Sequence, residues 1–152
     1  MMDAGDESIL RKRIRDAISP RRDQQMNAEA EIQTVLDLYV AGANGDLPKL
    51  REAFHPDATM TGRIGSGRDD LTPIADFIAM VERNPGLAGP DYTSETRSID
   101  VTSDVGVAVL AETDYFGCDF VDYFTFVRLD DRWRITSKSY AHIGGSPSRE
   151  IH

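Results

Sequence analysis

Apolar positions recur every three to four residues early in the chain and every second residue late in it. Ile32, Val35, Leu36, Tyr39, Val40 and Ala43 fall at helical spacing, which predicts a first long helix over 28–44. Gly45 stops it, and Asp46 caps a short second helix over 47–54 with Pro48 in its first turn. A strand follows over 58–64. Thr72-Pro73 starts a third helix with Ile74, Phe77, Ile78 and Val81 on its apolar side, and Asn84-Pro85-Gly86 ends it. Beyond it, segments 92–102, 105–116, 119–129 and 132–142 read as strands. Ser103-Asp104, Gly117-Cys118 and Asp130-Asp131 separate them, each short enough for a hairpin. The order predicts an α+β fold: a cone-shaped, curved antiparallel sheet wrapped around three helices. The cone's interior is the natural pocket.

One position breaks the apolar pattern. In the run Phe120 to Val127, Phe120, Asp122, Phe124 and Phe126 share one strand face. A carboxyl among three phenylalanines must find a hydrogen-bond partner, stay protonated, or both. On the next strand Trp133 and Ile135 are expected to pack inward. Arg134, Thr136, Lys138, Tyr140 and His142 are then expected outward, beside Val121, Tyr123, Thr125 and Val127. An outer face that mixed suits a two-fold interface, so a homodimer through it is expected.

The charge of −9 is uneven, with +1 on residues 1–27 and −10 on the rest. Residues 1–27 therefore read as a charged extension, 28–143 as the domain and 144–152 as a tail. Within the extension, Leu10, Ile14 and Ile18 make one narrow helical stripe ended by Pro20. It reads either as a loosely docked extra N-terminal helix or as an arm clasping a partner. The acidic balance disfavours nonspecific binding to nucleic acid or anionic membranes. There is no membrane-length apolar run, and the N-terminus does not look like a signal peptide, so a cytoplasmic location is expected. Cys118 is the only cysteine, which excludes an intrachain disulfide. No phosphate loop, dinucleotide glycine motif or Ser/His/Asp arrangement is found, and no cofactor is expected.

Several local patterns resemble the nuclear transport factor 2-like superfamily, which holds ketosteroid isomerases, scytalone dehydratase and SnoaL-like polyketide cyclases. They are Tyr39-Val40-Ala41-Gly42 leading to Gly45-Asp46, and Phe54-His55-Pro56-Asp57-Ala58. Asp122-Tyr123-Phe124, followed by Asp131-Arg132-Trp133-Arg134-Ile135 and Lys138, resembles the branch labelled putative lumazine-binding. In ketosteroid isomerases a tyrosine and a neutral aspartic acid donate hydrogen bonds to a developing oxyanion. The resemblance puts Tyr39 and Asp122 in those places. It puts the general base at Gly62, which cannot take a proton, so the isomerase mechanism does not carry over.

Each candidate has a structural alternative. Tyr39 and Asp122 bind a ligand's carbonyl, enol or ring nitrogen, or they make a buried bond fixing helix to sheet. Gly62 leaves room for a ligand or marks a bend. His55 is the leading substitute base, or it caps the preceding helix. His55 and Asp57 make a poor metal site, and no metal is expected. Thr61, Thr113 and Asp114 are further candidates for the cavity wall, although the faces of the 105–116 strand are not assignable from the pattern. The reading that results is a small-molecule binder whose partly apolar pocket has Phe54, Met60, Phe77, Phe120, Phe124 and Trp133 as walls. Tyr39 and Asp122 are its polar anchor. The alternatives are an isomerase, cyclase or dehydratase with another base, and an interaction module with a vestigial cavity.

Overall fold

In a computed structural model of the chain, residues 4–67 and 70–152 are described. The elements are α1 (Ala4–Ala43), α2 (Leu47–Ala53), β1 (Phe54–Arg63), β2 (Asp70–Pro73), α3 (Ile74–Arg83), β3 (Ala88–Thr102), β4 (Val105–Tyr115), β5 (Cys118–Leu129) and β6 (Arg132–Gly145). The strands form one curved, open sheet in the order β2-β1-β6-β5-β4-β3. This is the expected α+β cone, with two refinements. β1 lies parallel to β6, so the sheet is mixed rather than wholly antiparallel. The four-residue β2, which the pattern did not announce, adds an edge beside β1. So short a strand, ending in a proline, carries no legible alternation.

The N-terminal region also differs from expectation. α1 is a single helix that runs unbroken through Pro20. A proline costs a helix one internal hydrogen bond. The strong helix formers that follow, Arg21, Arg22, Gln24 and Gln25, carry it across. Leu10 and Ile14 of that stripe, and Ile9 beside them, are about half exposed among the described residues, and the side chain of Ile18 lies outside the described residues. Burial starts at Ala28, and Ile32, Leu36 and Tyr39 then enter the core under the sheet. No described helix is long and apolar enough to cross a membrane.

Two irregularities set which side chains reach the concave face. The β5–β6 register shifts between Thr125 and Phe126, where Thr125 faces Ser137 but Phe126 faces Ile135. Thr136 is the extra residue, and it reverses the phase of β6. Trp133 and Ile135 pack inward as expected, but beyond the bulge Lys138 is also buried and Tyr140 and His142 are half-buried. Lys138 and Tyr140 line the concave side, so the expectation that they point outward is corrected. On β4 the shift falls between Glu112 and Tyr115, where Asp114 takes φ 56°. Gly106, Ala108, Leu110 and Glu112 face inward before the bulge and Tyr115 after it.

Helix-to-helix spacing is equally tight. A Cβ on Gly42 would stand 2.5 Å from the Cα of Leu50, which is backbone and cannot swing aside. Alanine in a helix interior normally gains up to about 1 kcal/mol over glycine. Here the sign reverses, and Gly42→Ala is expected to destabilise the fold by about 1–3 kcal/mol, the usual range for overpacking. A urea midpoint equal to or above that of the parent would contradict the packing described.

Candidate functional site

Asp122 sits where strand alternation places it, on the concave face of β5 between Phe120 and Phe124, and is 1% exposed. Leu110 on β4 and Tyr140 on β6 are its cross-strand neighbours. From the helix side Tyr39 reaches down edge-on to Phe54 and Phe124, with ring centroids 6.0 and 4.9 Å away. Its hydroxyl lies 3.1 Å from Glu112 Oε1 and 3.3 Å from Asp122 Oδ2. Tyr92 donates to the other Glu112 oxygen, Oε2, at 2.7 Å. Lys138, diagonal to Asp122 across the β5–β6 pair, completes the group. Its ammonium stands over the rings of Phe77, Tyr39 and Tyr140, 4.4, 5.0 and 5.7 Å from their centroids. It makes no ion pair within 4 Å among the described residues.

One phenolic proton cannot serve two carboxylates. Burial pushes the Asp122 carboxyl well above the usual carboxylate range. Lys138 pulls against that, while the charge of Glu112 and a hydrogen bond to it push further the same way, and the Tyr39 hydroxyl pulls weakly back. Burial, then the charges of Asp122 and Glu112, likewise hold the Tyr39 phenol well above its ordinary value. A protonated Asp122 supplies the missing hydrogen, so that the Tyr39 hydroxyl and the two carboxyls share two protons among three groups. Glu112, Asp122 and Lys138 then sum to zero charge.

A cavity of about 260 Å³ opens beside this cluster, between the concave sheet and α3. Its polar lining is Glu112, Asp122, Lys138 and Thr72 on the sheet and the exposed Asp76 on α3, and Met60, Phe77, Met80, Phe116, Phe120 and Tyr140 supply most of the rest. Among the described residues two buried side-chain polar atoms have no hydrogen-bond partner, Asp122 Oδ1 and Thr72 Oγ1, and both belong to residues lining this cavity.

Of the candidates named from sequence, Met60, Phe77, Phe120 and Asp122 line the cavity. Tyr39, Phe54 and Phe124 stand behind the wall, in the core under α1. Trp133 is buried at the far end of β6, where it borders a separate, more polar groove with Gln24, Asn27 and Arg128. His55 lies outside the cavity and accepts at Nδ1 from the Asp57 amide, 3.0 Å away, as a local turn contact. Thr61 and Thr113 are exposed, and Asp114 accepts from the amide of Asp91. Gly62 pairs with Tyr140, whose ring fills the place a Cβ would take, 2.5 Å away. The glycine makes room for an aromatic ring of the wall. Among the described residues no three His, Cys, Asp or Glu side chains are grouped to hold a metal ion.

Glu112, Lys138, Tyr92 and Thr72 were not singled out from sequence. Glu112 carried a signal, an acid ending the Val105–Ala111 run, but apolar residues on both faces, Val105, Val107 and Val109 on one and Ala108 and Leu110 on the other, masked its side. Lys138 carried none, because the Thr136 bulge reverses its face.

Residues 27–141 match the family model described as "Putative lumazine-binding". An NTF2-like protein of unknown function from Silicibacter pomeroyi DSS-3 has a solved structure similar to this chain. It is 27% identical, with a TM-score of 0.70 over 78% of this chain and 98% of its own. A second NTF2-like protein of unknown function, from Shewanella baltica OS155, is 23% identical, with a TM-score of 0.70 over 78% of this chain and 96% of its own. A putative ketosteroid isomerase from Shewanella frigidimarina NCIMB 400 shares the fold at 13% identity, with a TM-score of 0.55 over 73% and 94% of the two chains. No curated protein matches the sequence.

The raised Asp122 pKa has a pH signature. The folded chain holds this proton to higher pH than the unfolded chain, whose aspartates titrate near about 3.9. The stability from neutral Asp122 is therefore fully present below that value and is lost as pH rises through the folded pKa. Asp122→Asn cannot lose a proton. Its stability relative to the parent is expected to improve steadily from pH 4 upward, by no more than the one-proton limit of roughly 1–1.5 kcal/mol per pH unit. Parallel urea titrations check this, and a constant difference across the range would mean that Asp122 is ionised throughout.

Proposed function

This chain belongs to the putative lumazine-binding family of the nuclear transport factor 2-like superfamily, and from that premise we propose that it is a small-molecule-binding protein whose ligand occupies the cavity under α3. The observation that carries the reading is the pair of unpartnered buried atoms, Asp122 Oδ1 and Thr72 Oγ1, on one cavity wall. An unmade buried hydrogen bond costs about 1–3 kcal/mol, and a ligand in this cavity would make both.

The cluster also describes the ligand. With the Asp122 proton held within the cluster, Oδ1 is an acceptor and the Lys138 ammonium beside it is a donor. A ligand edge that fits bears a hydrogen-bond donor next to an electron-rich oxygen or ring nitrogen. Apolar walls of Phe77, Phe120 and Tyr140 suit a flat one, and a volume just below the roughly 300–1,000 Å³ of typical sites limits it to one or two rings. Thr72 lies two strands from Lys138, roughly 10 Å along the sheet, and meets the far end. Tyr39 acts through Glu112 and Asp122 as a positioning residue.

A second reading, an isomerase-, cyclase- or dehydratase-type enzyme, draws on Glu112. It lines the cavity as a carboxyl where Gly62 leaves the family's base position empty. Both of its oxygens already accept tyrosine protons, which weighs against it as a free base. An open cavity weighs against an interaction module with a vestigial pocket. We also propose a homodimer through the convex face of β4–β6, supported there by exposed Val107, Tyr123 and Ile143.

Native mass spectrometry of freshly purified protein is expected to find a small noncovalent adduct. Asp122→Asn, which keeps one acceptor and one donor, is expected to retain it within about threefold, whereas Lys138→Met lowers occupancy roughly tenfold or more. An adduct equally abundant in Lys138→Met would remove the cluster as its anchor, and no adduct in any preparation would count against the reading as a whole.

A further inference from the structure

The segment after β6 is held across the mouth of the cavity. Residues 146–152 have no regular secondary structure, yet they are tied down on two sides. On the β4–β5 turn, the Ser146 amide donates to Gly117 O at 3.1 Å and the Ser148 amide to Phe116 O at 2.7 Å. On the end of α3, Arg149 Nη1 donates to Pro85 O at 2.7 Å. Asn84 grips the His152 backbone there: its Oδ1 accepts from the His152 amide and its Nδ2 donates to His152 O, both at 2.9 Å. Arg83 Nε adds a bond to the same oxygen at 3.3 Å.

Asn84 is 1% exposed, a buried polar side chain whose two amide atoms are both spent on this one segment. A further bond from Nδ2 to Met80 O at 2.7 Å keeps the amide aimed at it. Between the Arg149 and His152 ties Ile151 turns inward. It is half-buried against the core and forms part of the cavity wall, the one side chain of 146–152 to do so. The grip is on backbone atoms and the plug is one apolar side chain. The segment also lies beyond residues 27–141, the part of the chain that matches the family model.

A stretch held by a few end ties, with no ladder of its own, opens at far lower free energy than the sheet it rests on. We propose that residues 146–152 are a latched strap over the binding cavity, with Asn84 as the latch and Ile151 as the plug, and that ligand enters and leaves when the strap lifts. This rests on the cavity being the binding site, but its test needs no ligand. Strap opening precedes exchange, so the strap sets how long a ligand stays, while the Asp122–Lys138 cluster sets which ligand is held.

The experiment places a reporter thiol in the cavity, Met60→Cys, in a Cys118→Ala background. Its reaction with 5,5′-dithiobis(2-nitrobenzoate) is timed under native conditions. Asn84→Asp removes both Nδ2 donations, and Ser148→Pro independently removes the tie to Phe116. Each is expected to speed labelling at least tenfold. Hydrogen exchange at the Phe124 and Phe126 amides of central β5, which follows whole-domain opening, stays at the parent rate. Unchanged labelling in both variants overturns the strap, as does acceleration matched by equal acceleration of β5 exchange, since that is general destabilisation. Failure to find an adduct in the parent bears on the binding reading alone, because labelling reports the strap whether or not a ligand exists.

Discussion

A single phenolic proton between two buried carboxyls organises this molecule. The Tyr39 hydroxyl touches both Glu112 and Asp122 in a place that water does not reach. Two ionised carboxylates there would repel each other, with one hydrogen between them. Protonating Asp122 turns both contacts into hydrogen bonds and cancels the excess charge against Lys138. The same proton ties α1 to β4 and β5, so the link between helix and sheet and the polarity of the cavity have one cause. Tyr92 reinforces it from the far side, because its donation to Oε2 leaves Glu112 no free oxygen on that edge.

The backbone serves this arrangement by departing from regularity at chosen points. A perfectly alternating β6 would bury Trp133 and Ile135 and send Lys138 to solvent. One extra residue at Thr136 buries all three. The bulge after Glu112 returns Tyr115 to the inside, where its hydroxyl donates to Ala43 O at 2.8 Å and closes the end of α1. Gly62 gives its side-chain space to the Tyr140 ring, which stands edge-on to Phe120 and forms one of the faces around the Lys138 ammonium. A buried ammonium is costly, and faces of negative quadrupole are among the few apolar surfaces that offset part of that cost.

How much of this was legible follows from which rule governed each residue. Asp122 was readable because β5 alternates cleanly from Phe120 to Phe126, and a carboxyl on that face has few fates. Tyr39 was readable as a polar residue on the buried side of a strongly periodic helix. The layout of elements followed from period and turn chemistry, including the hairpin at Asp130-Asp131, where both residues take positive φ. Where alternation broke, inference broke with it: Lys138 and Glu112 sit beside bulges, and a bulge has no signature in a single sequence. Phe54, Phe124 and Trp133 were expected as cavity walls and are buried without lining it, because burial does not say which side of a wall a ring occupies. α1 was divided at Pro20 because a local cost was weighed without the helix formers around it.

The position of Gly62 bears on what chemistry the cavity can host. In the isomerase arrangement a base on β1 and an acid on the sheet face each other across the substrate. Here the β1 side is closed by the Tyr140 ring, and Glu112, Asp122 and Lys138 lie together on β4, β5 and β6, while Asp76 lines the cavity from α3. A molecule bound there as proposed would be gripped along one edge by the cluster and stacked on apolar surface elsewhere. Within the cluster that geometry favours recognition over proton shuttling, because moving a proton between two sites on a substrate requires groups on both sides of it or one base free to swing. The carboxyl on the other side, Asp76, is exposed on α3. Neither carboxyl of the cluster is free to swing: Glu112 is held at both oxygens, and Asp122 is held at one. The one unspent atom, Asp122 Oδ1, can accept a hydrogen bond without accepting the proton, since its carboxyl already carries one.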